Sequence, residues 1–443
     1  MDIEGYAKRG LTRRDPDIEQ KLTDRILEIK NISRKRARDI ASATIAEAHA
    51  TLRPSGEILV PIASGVTMGE FGVGSRGAGD FYAHEKIAEV IGKTDAIVDS
   101  SHLDDSGVVR ISGQEEQDRY VVLNIDGIHS RLSDFPFLAG FHVARAALRD
   151  IYVMGARPVA MLSDIHIADD GDVGKIFDHI AGISAVAELT HVPLVTGSTL
   201  RIGGDMVIGD RMTGGVGAVG IASDLTARID AAPGDVILMT EGAGGGTIST
   251  AALYYEMHDV VDETINITFI EACEALFAAD LPGRIHAMTD VTNGGVRGDA
   301  REISRTARVK LVFYEEKMRN LVNPRVLSML ESLEIDYLGV SLDALLLIAP
   351  PDAAPDIMDA IRGAGVRIDV VGEVCEGEGA ELVIDGEVHD FTPRFRESAY
   401  TPIKKLVGEA APEDYERMCA AVDHAAAEAA EKRDRVVARV RGA

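Results

Sequence analysis

Two neighbouring carboxylates are the first residues that could do chemistry: Asp104 and Asp105, in His102-Leu-Asp-Asp-Ser-Gly-Val-Val109, directly ahead of an apolar run. Along an extended strand adjacent side chains point to opposite faces, whereas in the turn that enters a strand both can converge on one hard cation. The same pair would serve equally as a solvated turn. Asp126 ends Tyr120-Val-Val-Leu-Asn-Ile-Asp126, and Asp150 follows Ala146-Ala-Leu-Arg149 ahead of Met154-Gly-Ala-Arg-Pro158. Carboxylates so placed stand either at the functional edge of a sheet or as caps. Asp290 lies in Ala287-Met-Thr-Asp-Val-Thr-Asn-Gly-Gly295, where two glycines let backbone amides approach a ligand or simply make a tight turn.

Glycine-rich loops supply the complementary chemistry. Gly242-Ala-Gly-Gly-Gly-Thr247 follows an apolar run and precedes a helical pattern, so its amides could hold a phosphate. It has neither the ending of a P-loop nor the spacing of a dinucleotide fold, and a flexible turn explains it as well. Gly72-Val-Gly-Ser-Arg-Gly-Ala-Gly-Asp80 could form a mobile cover over phosphates, with Arg76 supplying charge. His84 and Lys86 follow it, at positions that suit the surface of a helix.

The elements that must position these groups read as an α/β or α+β chain. At 443 residues it exceeds one ordinary core, so two domains with terminal additions are expected. Leu22, Ile26, Ile29 and Ile32, spaced by three or four, predict an amphipathic helix within residues 14–50. A strand is expected over 57–62. Further strands are expected at 108–111, 120–125, 159–165, 193–196 and 215–221, with helices near 137–153 and 174–190. Ala232-Pro-Gly-Asp235 makes a turn into a second domain. Its strands are expected at 236–240, 309–313, 344–348 and 366–374, with a helix near 353–363. The Ala-, Glu- and Arg-rich stretch 412–440 predicts a last helix. The boundaries follow as a helical extension at 1–56, domains at 57–228 and 229–395, and a second helical extension at 396–443.

Composition narrows the function. Lys and Arg total 46 against 72 Asp and Glu, a formal charge of −26, which opposes binding to nucleic acid or to an anionic membrane. The three cysteines, Cys273, Cys375 and Cys419, have no paired spacing for zinc or a redox motif. With no apolar signal core at the N-terminus and no apolar run of membrane-spanning length, a cytoplasmic protein is expected.

In order and spacing, the segments from about Ile58 to Gly377 resemble one superfamily. The landmarks are Asp104-Asp-Ser-Gly-Val-Val109, Asn124-Ile-Asp-Gly127, Arg149-Asp-Ile-Tyr-Val-Met-Gly-Ala-Arg-Pro158, Pro233-Gly-Asp-Val-Ile-Leu-Met-Thr240, Met288-Thr-Asp-Val-Thr-Asn-Gly-Gly295 and Val371-Gly-Glu-Val374. The chain resembles the aminoimidazole ribonucleotide synthetase-like (PurM-like) superfamily, which includes thiamine monophosphate kinase, selenophosphate synthetase and the hydrogenase maturation dehydratase. The resemblance implies a two-domain protomer, the first domain forming a dimeric β-barrel and the second an α/β domain. It also implies ATP and Mg²⁺ in a groove beside the barrel. By the same resemblance Asp104, Asp105, Asp126, Asp150 and Asp290 hold magnesium, while Gly72, Gly74, Arg76, Gly77, Gly79, Asn293, Gly294 and Gly295 contact ATP phosphates. The expected activity is phosphorylation or activation of a small-molecule substrate by a homodimeric ATP-dependent phosphotransferase or synthetase. No general base is identifiable.

Several departures separate this chain from the named activities. Thr196-Gly-Ser-Thr199 carries Ser198 where the family has an acid, with Asp205 the nearest replacement. Asp126-Gly-Ile-His-Ser-Arg131 replaces the synthetase's Asp-Gly-Val-Gly-Thr-Lys, and Thr292-Asn-Gly294 the thiamine monophosphate kinase's Ser-Asp-Gly. The chain ends Val440-Arg-Gly-Ala443 without the dehydratase's cysteine, and the Gly72–Asp80 loop lacks the Cys and Lys of selenophosphate synthetase. A paralogue of these enzymes fits the departures. Ser198 and the terminal helices leave a second reading open: a nucleotide-binding regulatory or partner protein with reduced catalysis.

Overall fold

The computed structural model describes residues 1–111, 119–292, 294–397 and 399–442. Its first sheet comprises β1 (Gly107–Ile111), β2 (Arg119–Gly127), β3 (Arg157–Ile167), β4 (Leu194–Arg201) and β5 (Met212–Ala222), in the order β1-β2-β5-β3-β4. All neighbours are antiparallel except β3 and β4. Pro158 has no N–H to give the β3–β5 ladder, and the register shifts between Pro158 and Ala160.

The second sheet holds β6 (Val236–Thr240), β7 (Ala287–Asp290), β8 (Lys310–Tyr314), β9 (Leu345–Ala349), β10 (Ile368–Cys375), β11 (Gly379–Ile384) and β12 (Glu387–Asp390). Their order is β12-β11-β8-β10-β6-β9-β7. β9 is buried throughout, as its unbroken Leu-Leu-Leu-Ile-Ala run requires of a strand covered on both faces. At the opposite edge β12 is exposed and charged, which discourages pairing with another chain.

The helix Pro136–Tyr152 joins the two halves. It packs on β2, β3 and β5 on one side and against β7 and the helix Thr268–Ala278 on the other. Its apolar residues share one core with Leu238, Phe269, Leu276, Met288 and Leu345 of the second domain. The helix Gly174–Thr190 packs beside it and covers β4. Among the described residues nothing covers the far face of the first sheet, so Leu123, Leu162, Val195 and Leu200 are exposed and Ile125 is 73% exposed.

Two expected elements differ. Residues 57–62 make a turn, not a strand: Gly56 has φ +107°, its carbonyl accepts from Leu59 and Val60 N, and Ile58, Leu59 and Val60 are exposed. An apolar run becomes a strand only where a neighbour offers a free edge. Here the carbonyls of Ile58 and Val60 instead accept from Lys432 Nζ of the final helix, at 3.2 and 2.8 Å. The single helix read within 14–50 is two, Ile18–Ile29 and Arg34–Thr51, with a further helix at Ile3–Arg13. Ser33 caps the third by accepting from Arg36 N at 3.2 Å, while Lys30 turns out to Asp169 and Asp170 at 2.5 and 2.7 Å. The three helices bury Ile3, Leu22, Ile26 and Ala41 with Ile208 in a core of their own.

Candidate active site

A cavity of about 830 Å³ lies between the domains, and Asp104, Asp105, Asp126, Asp150 and Asp290 all line it. Asp104 and Asp105 occupy the turn before β1, as cation-directed neighbours require. Asp126 closes β2 and Asp290 closes β7, so each domain delivers acids from a strand end. Asp150 projects from the helix Pro136–Tyr152 and accepts from Asn124 Nδ2 of β2 at 2.8 Å.

Two guanidiniums stand among these acids. Arg228, 1% exposed, donates to Asp105 Oδ1 at 2.6 Å and to Thr289 Oγ1 at 2.7 Å, and pairs with Glu302 at 3.0 Å. Its backbone N–H donates to Asp104 Oδ2 at 3.0 Å. Arg149 Nε lies 3.1 Å from Asp290 Oδ2, and its Nη1 pairs with Asp343. His142, Arg145 and Arg149 share one helix face by their spacing of three and four. Arg145 also reaches Asp343 and donates to Gly244 O at 3.0 Å. Asp104 and Asp105 thus meet Glu302 through Arg228, Thr289 Oγ1 also donates directly to Asp105 Oδ2 at 2.9 Å, and Arg149 ties the first domain to Asp290 and Asp343.

Sequence reasoning missed Arg149, Arg228, Glu302 and Asp343. The helical stripe 142–145–149 and the position of Glu302 seven residues past Gly295 are signals that could have found two of them. Nothing local marks Arg228 or Asp343.

The glycine loop is held rather than free. Asp80 accepts from Gly74 N and Arg76 N at 2.8 Å each, Arg394 O accepts from Ala78 N at 3.1 Å, and Ser75 O accepts from Glu397 N at 3.2 Å. Gly74 and Arg76 line the cavity; Gly72, Gly77 and Gly79 lie behind it, packed against Phe71 and residues 394–396. Arg76 pairs with Glu302 at 3.5 Å. Gly294 has φ +105° and caps the helix Gly295–Ala307; a Cβ there would stand 2.9 Å from Arg76 Cβ, so the two glycine segments meet only because this position has none. Asn293 lies outside the described residues. Gly246 and Thr247 line the cavity at the start of the helix Gly246–Tyr254. His84 also lines it, whereas Lys86 pairs with Glu89 and Asp423 on the surface.

Ser198 is exposed on β4 opposite Asp164 and does not line this cavity. Neither does Asp205, which pairs with Arg201 on the surface.

The electrostatics are those of crowded acids. Burial, with Asp105 close by, pushes Asp104 up to about 6 despite Arg228. Burial and the surrounding carboxylates push Asp290 up to about 7 despite Arg149, and they raise Asp150 well above its ordinary range. Asp343 is the exception: burial opposes its charge, but Arg149 and Arg145 hold it down at about 2. Among the described residues no three His, Cys, Asp or Glu side chains are gathered closely enough to hold a metal as they stand. The donor set nevertheless fits a hard divalent cation. It is all carboxylate, its five acids outnumber the three arginines that line the cavity, and buried Asp290 Oδ2 has no hydrogen-bond partner among the described residues.

A pH dependence follows. The folded values of Asp104 and Asp290 lie above the unfolded value near 3.8, so the folded chain keeps protons that the unfolded chain releases. Their contribution to stability is full below the unfolded value and is lost as pH rises through about 6 and about 7. Asp343 loses its contribution only as pH falls through about 2, outside that window. In EDTA, the denaturant midpoint is expected to fall between about pH 5 and about pH 8, and Mg²⁺ to reverse the fall. A midpoint that rises over this range, or ignores Mg²⁺, would contradict the assigned electrostatics.

Comparison with known proteins places this geometry. The signature of the AIR synthase related protein N-terminal domain matches residues 103–222, and that of the C-terminal domain matches 232–385. An uncharacterised protein of Methanocaldococcus jannaschii is 53% identical over 99% of this chain and 98% of its own length. The selenide, water dikinase of Geobacter metallireducens is 32% identical over 51% of this chain and 64% of its own. A crystal structure of the hydrogenase maturation protein HypE in complex with ATP superposes with a TM-score of 0.53 at 19% identity, covering 66% of this chain and 88% of that one. With both domain signatures in order and a relative matched end to end, the chain belongs to the AIR synthase-related family and has its PurM-like two-domain fold.

Proposed function

We propose that this protein is an ATP- and Mg²⁺-dependent enzyme that phosphorylates or otherwise activates a small oxygen- or amide-bearing metabolite. One observation carries the reading: five aspartates from both domains converge on a single cavity beside two glycine segments. The selenide, water dikinase match and the fold shared with an ATP-bound protein support it.

Asp104, Asp105, Asp126, Asp150 and Asp290 are the residues that would hold magnesium, with Arg76, Gly74 and Gly294 toward the phosphates. Bound Mg²⁺ would supply charge neutralisation and alignment of the transferring phosphoryl group. The chain's own contribution is positional. Arg149 and Arg228 keep the acids apart until they are occupied, and residues 394–397 hold the glycine loop over the cavity. The proposed domain limits, 57–228 and 229–395, leave helical extensions at 1–56 and 396–443.

Isothermal titration with a non-hydrolysable ATP analogue is the test. Binding is expected with Mg²⁺ and is expected to weaken sharply without it; binding indifferent to Mg²⁺ would overturn the metal assignment. A second reading, a nucleotide-binding regulatory protein without turnover, is favoured by Arg149 and Arg228 occupying the carboxylates. It is supported instead if the analogue binds and no candidate acceptor provokes hydrolysis.

We also propose a homodimer joined through the open face of the first sheet, where exposed Leu123, Ile125 and Leu162 form an apolar surface. Ile125→Asp is expected to convert a dimer to a monomer in light scattering; an unchanged mass would place the contact elsewhere. No helix of the described residues is long and apolar enough to cross a membrane, and a cytoplasmic location is proposed.

A further inference from the structure

Next to His129, at the edge of the cavity, is a corner built partly from outside the two matched domains. Beyond β12 the chain brings Tyr400 and the short helix Pro402–Val407 against the turn that follows β2. The buried Tyr400 hydroxyl lies 3.0 Å from His129 Nε2, and His129 Nδ1 lies 3.2 Å from Thr250 Oγ1. Lys404 Nζ stands 4.2 Å from the Tyr400 ring centroid, and the Arg131 guanidinium lies over Tyr254 at 5.7 Å. Thr250 and Tyr254 are one turn apart on the helix whose first residues, Gly246 and Thr247, line the cavity with His129. The corner therefore has three walls: the 129–131 turn, one helix face and the C-terminal segment.

Its charge is unbalanced. Arg145, Arg149, Arg228 and Arg297, the buried guanidiniums, each pair with a carboxylate. Half-buried Lys404 and Arg131 have no hydrogen-bond or carboxylate partner among the described residues. They nevertheless lie close enough to act on each other. Burial and Arg131 push the Lys404 ammonium down to about 8, and burial with Lys404 and Arg131 pushes His129 down to about 4. In a chain of formal charge −26, two cations gathered without an acid are an arrangement the fold itself does not balance. An anion between them would.

We infer that this corner binds a phosphate group of the second substrate, held between Lys404 and Arg131 at the His129 edge of the cavity. The inference rests on the proposed ATP-dependent activity and gives its acceptor a chemical class: a small phosphorylated metabolite. Phosphate is favoured over carboxylate by charge, since a phosphate monoester carries about −1.5 to −2 near neutral pH and matches two cations, while a carboxylate leaves one unmatched.

The test is titration of inorganic phosphate into the full-length wild type, Lys404→Met and Arg131→Met, with the nucleotide site first filled by Mg²⁺ and the ATP analogue. Acetate is the parallel titrant. The wild type is expected to bind phosphate, each variant to bind it about tenfold or more weakly, and acetate to bind the wild type weakly. The analogue's affinity in the variants reports that they are folded. Phosphate binding that is absent in the wild type, or equal in all three proteins, would overturn the assignment; acetate binding as tightly as phosphate would overturn the choice of phosphate. Should the analogue not bind, the same phosphate titrations on the nucleotide-free protein still decide the corner, and only the ATP reading falls.

Discussion

Replacing Asp290 by Asn is expected to lower ATP turnover by about a thousandfold or more while leaving the protein folded. Asp290 closes β7, is 1% exposed and lines the cavity; its Oδ2 has no hydrogen-bond partner among the described residues but pairs with Arg149 Nε 3.1 Å away. Asparagine keeps the shape and removes the charge on which a divalent cation would depend. Arg149 remains neutralised, because Asp343 also pairs with it. Since burial among other acids raises Asp290 to about 7, the substitution also removes an unfavourable ionisation at higher pH. Metal-free Asp290→Asn is therefore expected to be no less stable than the wild type at about pH 8, yet unresponsive to Mg²⁺. Steady-state ATP consumption and a denaturant titration with and without Mg²⁺ measure the two effects. Wild-type turnover in this variant would remove Asp290 from the chemistry.

Arg228→Met carries the largest expected cost in stability, ~3–5 kcal/mol, because it leaves buried acids without their counter-ion. The guanidinium pairs with Asp105 and Glu302 and donates to Thr289, and methionine supplies none of this. Domain docking depends on the same group, since its partners come from both sides of the cavity. The loss is expected to shrink as pH falls through about 6, where Asp104 takes up a proton. Equilibrium urea unfolding at several pH values separates the possibilities. A loss independent of pH would mean that packing rather than charge is at stake.

How much of this was legible in the sequence depended on whether the signal was local. Strands β1 to β5 and the helices Pro136–Tyr152 and Gly174–Thr190 coincide with apolar runs and periodicities. The five aspartates were marked by ordered motifs, four of them beside strand ends and Asp150 near the end of a helix. Asp385-Gly386, flanked by Leu-Val-Ile and Glu-Val-His, was an overlooked hairpin signal; both residues have positive φ, as a tight primed turn requires, and β11 and β12 pair across it. The run at 57–62 misled because apolar character does not reveal whether a sheet edge is available. Arg228 was invisible for a different reason: its partners Asp104 and Asp105 lie more than a hundred residues earlier, and no spacing rule spans that distance. The corner formed by Arg131, Tyr400 and Lys404 was hidden likewise, being created by a chain return rather than by a motif.

The two arginines at the joint also constrain how the molecule assembles. Neither domain contains both a complete set of acids and the cations that separate them: Arg149 travels with the first sheet and needs Asp290 and Asp343, while Asp104 and Asp105 precede β1 and reach the second domain through Arg228, which pairs with Glu302, and through Thr289, whose hydroxyl donates to Asp105. During synthesis the first half emerges with these carboxylates still hydrated, before their distant partners exist. Such long-range closure is slow, because chain entropy is lost before the pairings form. Nucleotide-binding capacity should therefore return on refolding after the bulk of the secondary structure, in step with the docking of one half on the other.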